Sequence, residues 1–286
     1  TMQSSDAYSG RLVYYGDVTG DDMQAVSSTK RVANYYRFNF TKDDNPSSHW
    51  SYLYSIIQNC NLILMNIDKL VIDEDDKAYR DDLKGEALAI RGLALFDLTR
   101  IFGYPYLKDN GASLGVPIIE GLSTIDSKPT RNTVAQCYTK IIDDLTQSLS
   151  LLGEKFNKGK INKWGAMVLL SRVYLYKGEN ANALKMASDA IIGAEKNKYA
   201  LWTNEDYPTA WGEDASASKP GEVLFEIVNL TTDSPGKESM GYLNSYDGYD
   251  DMCITCSFYQ FLKEDPKDIR LKLLSFDKKY YAYVNK

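Results

Sequence analysis

The stretch GEALAIRGLALFDLTRIFGYPY, Gly85 to Tyr106, limits the fold more than any other part of this chain. Leu83, Ala87, Ile90, Ala94, Leu98 and Ile101 recur in steps of three and four, which places them on one helical stripe. Ala89, Leu93 and Phe96 widen that stripe, so the spacing predicts a helix packed on two sides. Gly103 supplies a C-terminal stop and Pro105 prevents continuation. A helix buried nearly all round, with a Gly-x-Pro exit, fits a stacked helical array.

Helical periodicity continues on both sides. A helix is predicted from about 49 to 69, with Ser47 or Ser48 as its cap and Leu53, Ile56, Ile57, Cys60, Ile63, Leu64 and Ile67 on one face. Another is predicted over 132–152, capped by Thr130 or Asn132. Two more are expected, over 163–177 and from 181 to about 195, with a tight turn at Gly178-Glu179-Asn180 between them. The long link 103–129 holds LGVPII as a short extended piece. EVLFEIVN at 222–229 alternates and is rich in β-formers, which makes it the best strand candidate.

Composition bounds the function classes. The chain has 286 residues, 44% hydrophobic and 25% charged, enough for a sizeable core. Its net charge is −6 and no basic run occurs, which disfavours nucleic-acid binding through phosphate contacts. No apolar run approaches the roughly 20 residues of a membrane span. The opening TMQSSDAYSG lacks the basic and apolar regions of a signal peptide, so it reads as a cytosolic start or a trimmed chain. Cys253-x-x-Cys256 lacks the further ligands a structural zinc needs, since Cys60 and Cys137 are isolated and His49 is the sole histidine. Free thiols are the expectation. Asp17, Asp21 and Asp22 in GDVTGDD lack the spacing of a calcium loop and read as a solvated turn. No GxSxG, HExxH or P-loop is present. No catalytic residue, metal or cofactor is therefore assigned.

The segment WGAMVLLSRVYLYKGENANALKMASDAII, 164–192, resembles a tetratricopeptide repeat through Ala166, Tyr174, Gly178, Ala183-Leu184 and Ala190-Ile191. Two antiparallel helices joined by a Gly-containing turn need small residues where their backbones approach, and Ala166, Ala183, Ala187 and Ala190 supply them. The fold class expected is all-α: a right-handed superhelix of tetratricopeptide-like helix pairs with long irregular loops and a few short strands. Residues 1–46 read as an N-terminal loop region and 47–197 as the helical scaffold. Residues 198–286 read as an irregular, aromatic-rich region opening a longer C-terminal part of the same domain.

Several ordered blocks carry a wider resemblance. They are Trp50-x-x-x-Tyr54-x-x-Ile57-x-x-x-Asn61; Glu86-Ala87 through Arg91 and Phe96-Asp97 to Phe102-Gly103-x-Pro105; Pro129-Thr130-Arg131 with Tyr138-x-x-Ile141-x-x-Asp144-Leu145; Lys163-Trp164 through Gly178; Glu222-x-x-Phe225-Glu226; and Asp265-Pro266-x-x-x-Arg270. In this order they resemble the SusD/RagB family of surface lipoproteins from Bacteroidetes glycan-uptake systems. Family members are normally longer at both ends. The resemblance implies non-catalytic binding of oligosaccharide at the outer membrane, beside a SusC-like TonB-dependent transporter. It also implies membrane attachment only through an N-terminal lipid absent from this chain.

Sugar recognition needs flat apolar faces for pyranose C–H groups and polar side chains for hydroxyls. The chain has 22 Tyr against 9 Phe, and Tyr joins an apolar ring to a hydroxyl that suits half-wet surfaces. Residues 202–250 combine both chemistries, so Trp202, Tyr207, Trp211, Asn244, Tyr246, Asp247 and Tyr249 are the candidate glycan contacts. Trp50 and Trp164 sit in helical matches and read as core. Arg91 reads as a structural arginine paired with Glu86 or Asp97. Two rival readings stand beside this one. An all-helical glycoside hydrolase would need two carboxylates about 5 to 9.5 Å apart across a cleft. A repeat scaffold for a protein tail would need a polar inner groove, whereas Val168, Leu169 and Val173 predict a filled one.

Overall fold

The computed structural model describes residues 2–41, 47–124, 126–210, 221–229, 235–276 and 282–284. Helices run over Arg11–Val18 (α1), Ala33–Tyr36 (α2), Ser47–Asn66 (α3), Lys77–Phe102 (α4), Val134–Leu151 (α5), Lys163–Lys177 (α6), Asn180–Lys196 (α7), Tyr207–Ala210 (α8), Met240–Asn244 (α9) and Cys256–Lys263 (α10). The strands Met23–Ala25 (β1), Met252–Ile254 (β2), Leu274–Phe276 (β3) and Ala282–Val284 (β4) have three residues each. The fold is all-α, as the periodicity predicts. No described helix is long and apolar enough to cross a membrane. The chain divides into two compact units: one of Thr1–His49, Leu201–Ser218 and Ile227–Lys286, the other of Trp50–Ala200 and Lys219–Glu226. The division falls within the first turn of α3.

The second unit is the helical scaffold. The five long helices of the sequence are all present, α3 to α7, and α3 ends in a 3-10 turn at Ile67–Lys69. α4 packs on α5, α5 on α6, and α6 on α7. α4 is buried at Ala87–Ala89 and without a break from Arg91 to Thr99, so it is covered on more than one side. Close approach is obtained by removing side chains. A Cβ on Gly85 would lie 2.9 Å from Leu152 Cγ, and one on Gly92 would lie 3.1 Å from Leu145 Cγ. Gly193 of α7 lies flat on Trp164, where an added Cβ would come within 2.1 Å of the ring. Trp164, Met167, Ala190, Ala194 and Tyr199 form one apolar cluster there. Trp164 is therefore core, as read. Trp50 packs edge-on against Phe102 with ring centroids 5.0 Å apart.

Two expectations fail, the cap of α5 and the strand at 222–229, and two glycines hold with their mechanisms now visible. Gly103 ends α4 with φ −105° and ψ 172°, so it is no left-handed cap; it is required by space, since a Cβ would lie 2.7 Å from the Thr99 carbonyl oxygen. The left-handed glycine is Gly178, φ +84°, at the end of α6. Thr133, not Thr130 or Asn132, caps α5, and Gln136 completes a reciprocal capping box. Asn132 instead joins a short antiparallel pairing with Gly115 and Val116 that closes the 103–129 link. Residues 222–229 form no strand: Leu224 O and Phe225 Cβ each lie 3.3 Å from the Cβ position of Gly165 on α6, and no described strand pairs with the segment.

Arg91 is buried, but its partner is neither Glu86 nor Asp97. Its Nε and Nη2 donate to Asp144 at 2.8 and 2.6 Å, and its Nη1 donates to Asn61 Oδ1 at 2.8 Å. Asn61 Nδ2 in turn donates to the carbonyls of Ile119 and Gly121. Lys140 reaches Asp144 at 3.2 Å and Glu120 at 2.6 Å. One charged network thus ties α3, α4, α5 and the link together. The sequence partners were nearest along α4, but Asp97 pairs with Arg100 and Glu86 faces Lys160. Burial of Cys60 beside this network pushes its thiol up to about 12, partly opposed by Arg91.

The first unit is built differently. Residues 1–46 carry more order than a loop: α1, β1 and α2 lie there. β1 pairs antiparallel with β2 in the register Met23↔Ile254, Gln24↔Cys253 and Ala25↔Met252. Thr255 Oγ1 donates to Asp21 O, and its backbone N–H donates to Asp22 O, so the acidic turn anchors the ladder. Val18, Val32, Tyr35, Leu243 and Met252 form the core beneath, with Tyr15, Met240 and Tyr249 packed against it. Cys253 is a buried free thiol on β2, and Cys256 is an exposed one opening α10.

Candidate functional site

The β1–β2 ladder decides where the candidate site sits. It places residues 15–40 against 240–252, more than 200 positions away in sequence, on one apolar core. The first border of this core is aromatic. Tyr15, Tyr35 and Phe40 pack mutually with ring centroids 5.4 to 6.1 Å apart, and Phe38 meets Phe40 at 6.4 Å. Phe38 is 65% exposed and holds a left-handed backbone, φ +53°, closed by its N–H on Tyr35 O. Tyr36 and Phe40 are also exposed. A phenyl ring kept in water on a strained residue is a costly arrangement, of the kind that collects at ligand sites.

The second border is the turn after α9. Ser239 caps α9 by accepting from Tyr242 N–H. Tyr249 is half-buried, edge-on to Tyr242 at 5.1 Å, and the Arg31 guanidinium carbon lies 3.7 Å over its ring. Arg31 also pairs with Glu238 at 3.1 Å and approaches Asp251 at 3.8 Å. Lys30 donates to Tyr249 O at 2.7 Å and pairs with Asp250 at 3.4 Å. Burial raises the Asp251 carboxyl, and Arg31 opposes that shift. Tyr246 is 49% exposed and Asp247 is exposed. Asn244 Oδ1 and Ser245 Oγ are buried with no hydrogen-bond partner among the described residues. The turn thus sets rings, an amide, a hydroxyl and a stacked guanidinium side by side.

The structure sorts the predicted contacts into two groups. Asn244, Tyr246, Asp247 and Tyr249 share the turn just described. Trp202 and Tyr207 pack on each other with centroids 6.2 Å apart, and α8 lies against the Ile269–Leu273 turn. Trp211 lies outside the described residues. Arg31, Phe38 and Phe40, which border the same core, were not among the predicted contacts; for the two phenylalanines a signal was legible in YYRFNF, where Tyr36, Phe38 and Phe40 place a ring at every second residue. Among the described residues no group of three or more His, Cys, Asp or Glu could hold a metal ion.

Residues 4–175 match the profile of a family described as SusD-like, starch-binding and associating with the outer membrane. The chain belongs to the SusD-like family. A solved structure from Bacteroides vulgatus, named as a candidate sugar-binding protein, is 83% identical and superposes with a TM-score of 0.96 over 99% of this chain and 64% of its own. A SusD superfamily protein from the same organism is 38% identical, with a TM-score of 0.92 over 100% of this chain and 65% of its own. A curated SusD-like protein from Bacteroides ovatus is 27% identical over 135 residues, 46% of this chain and 23% of that protein. A laminarin-binding SusD-like protein, at 18% identity and a TM-score of 0.77, shares the fold. The chain thus spans less than two thirds of the length of each of the two Bacteroides vulgatus structures.

Proposed function

We propose that this chain is the sugar-binding part of a non-catalytic, surface-exposed lipoprotein that captures oligosaccharides and delivers them to a SusC-like TonB-dependent transporter. The observation that carries the reading is the pairing of two borders, one exposing Tyr36, Phe38 and Phe40 and the other exposing Tyr246, on the core that the β1–β2 ladder closes. Phe38, Phe40 and Tyr246 offer flat faces for pyranose C–H groups. Arg31 and Asp247, exposed in the same unit, offer a guanidinium and a carboxylate to sugar hydroxyls. Trp202, Tyr207 and Trp211 stand as a second set of contacts in the same unit. Glu238, Asp250 and Asp251 each face a cation, which suits orientation of a bound sugar. The proposed attachment to the membrane is through an N-terminal lipid.

Affinity gels and titration calorimetry across plant, host and microbial glycans test this reading. One or more oligosaccharides should bind, and Phe38→Ala or Tyr246→Ala should abolish retention without unfolding the protein. Release of reducing sugar from a bound glycan refutes the non-catalytic part. Co-purification with the adjacent transporter tests delivery.

A further inference from the structure

The turn that carries Tyr246 and Asp247 is gripped by side chains from the other end of the chain. Its own backbone bonds run only to itself and to α9: Gly248 N–H and Asp250 N–H donate to Ser245 O, Tyr249 N–H donates to Tyr242 O, and Asp251 N–H donates to Leu243 O. The chain folds back so tightly that a Cβ on Gly248 would lie 1.9 Å from Tyr242 O. Asp250 closes the turn with φ +55°, in the left-handed region that few non-glycine residues adopt.

Lys30 meets that turn at its left-handed end. Its Nζ donates to Tyr249 O at 2.7 Å and lies 3.4 Å from the Asp250 carboxylate, so one ammonium holds both a backbone oxygen and the side chain of the strained residue. The Lys30 and Asp250 side chains are 23% and 25% exposed, which shields the pair in part from water and salt. Arg31, the next residue, lies over the Tyr249 ring and pairs with Glu238, just before the Ser239 cap of α9. Both basic residues precede α2, which leads into Tyr36, Phe38 and Phe40. They thus tie the segment of the first aromatic border to the turn of the second. We infer that Lys30 is a positioning residue for glycan binding: with its ammonium already engaged, it contacts no sugar, and it fixes the Tyr249–Asp250 end of the turn so that Tyr246 and Asp247 are set before a glycan arrives. The inference rests on the glycan-binding reading of this turn. Such a residue acts by removing an ordering cost from association, not by adding a contact.

Lys30→Met tests it, since it keeps the apolar stem and removes the ammonium. The probes are soluble starch, laminarin, xylan and mucin glycans on affinity gels, followed by calorimetry with the one retained. Kd should rise about fivefold in Lys30→Met, through a less favourable binding entropy and with Tm unchanged. Lys30→Arg, whose guanidinium can span the same two acceptors, should restore Kd. The amides of Gly248, Tyr249, Asp250 and Asp251 should exchange about tenfold faster in Lys30→Met, while those of α4 keep their rates. Should Lys30→Met not fold, Asp250→Asn removes only the ion pair, at a residue type that tolerates the left-handed region, and should give the same changes at smaller amplitude. An unchanged Kd overturns the inference, and so does a fall in Tm that accounts for the whole loss of affinity. An equal loss of affinity in Lys30→Arg overturns it as well. Failure of the unmodified protein to retain any glycan bears on the proposed function, and the exchange rates then still decide whether Lys30 holds the turn.

Discussion

The two units of this chain solve opposite packing problems. In the Trp50–Ala200 scaffold, backbones must come close, and the chain does it by deletion: Gly85, Gly92 and Gly193 leave room for Leu152, Leu145 and Trp164. In the unit that holds α1, β1 and β2, large rings are kept and several face outward, among them Phe38, Phe40 and Tyr246. The scaffold buries its charges in a bidentate network around Arg91. The other unit stacks the Arg31 guanidinium on the Tyr249 ring at the border of its core.

The largest test of this contrast is Asp144→Ala. It leaves the Arg91 guanidinium buried without its carboxylate, and the scaffold should lose about 3–5 kcal/mol in denaturant unfolding. A loss below about 1 kcal/mol would mean that the network is peripheral to the scaffold.

The next effect belongs to the other unit. His49 is fully buried, neither ring nitrogen has a hydrogen-bond partner among the described residues, and burial lowers it to about 4. A free histidine near 6.5 binds its proton more readily than this one, so protonation favours the unfolded chain as pH falls. Stability should be complete above pH 6.5 and decline between 6.5 and 4, by about 3 kcal/mol in total. Tm measured from pH 7 to pH 4 should lose that slope in His49→Phe. An unchanged slope assigns the acid sensitivity elsewhere.

Smaller still is Thr133→Ala, which removes the capping box of α5 and should cost about 1 kcal/mol with glycan binding intact. The smallest effect on stability is the sharpest for function. Phe38→Gly relieves a left-handed residue and removes an exposed ring, so Tm should hold or rise slightly while glycan retention falls. A variant that loses Tm but keeps retention would make Phe38 a packing residue and would break the contrast.

Much of the scaffold was legible in sequence because its signals are local. Periodicity placed α3 to α7 within a few residues, and Gly178 marked its turn through backbone conformation alone. The errors have a common cause in partners remote along the chain. EVLFEIVN has the composition of a strand, yet pairing needs a neighbouring strand and none is described beside it; Leu224 and Phe225 lie on Gly165 of α6 instead. Arg91 found its carboxylate 53 residues away, on the next helix, rather than one turn along its own. Half of the candidate site was readable for the same reason. Asn244 to Tyr249 form one turn and announced themselves together, whereas Arg31 and Phe38 join them only through the β1–β2 ladder.

The sequence by itself determined the helical scaffold, its tight turns and its likeness to the SusD-like family, since these rest on spacing and on side-chain size. Only the tertiary structure decided which charges meet and which aromatic rings stay in water. The physical reason is that periodicity fixes which face of an element is apolar, while the choice of neighbour is made by packing between segments as distant as β1 and β2.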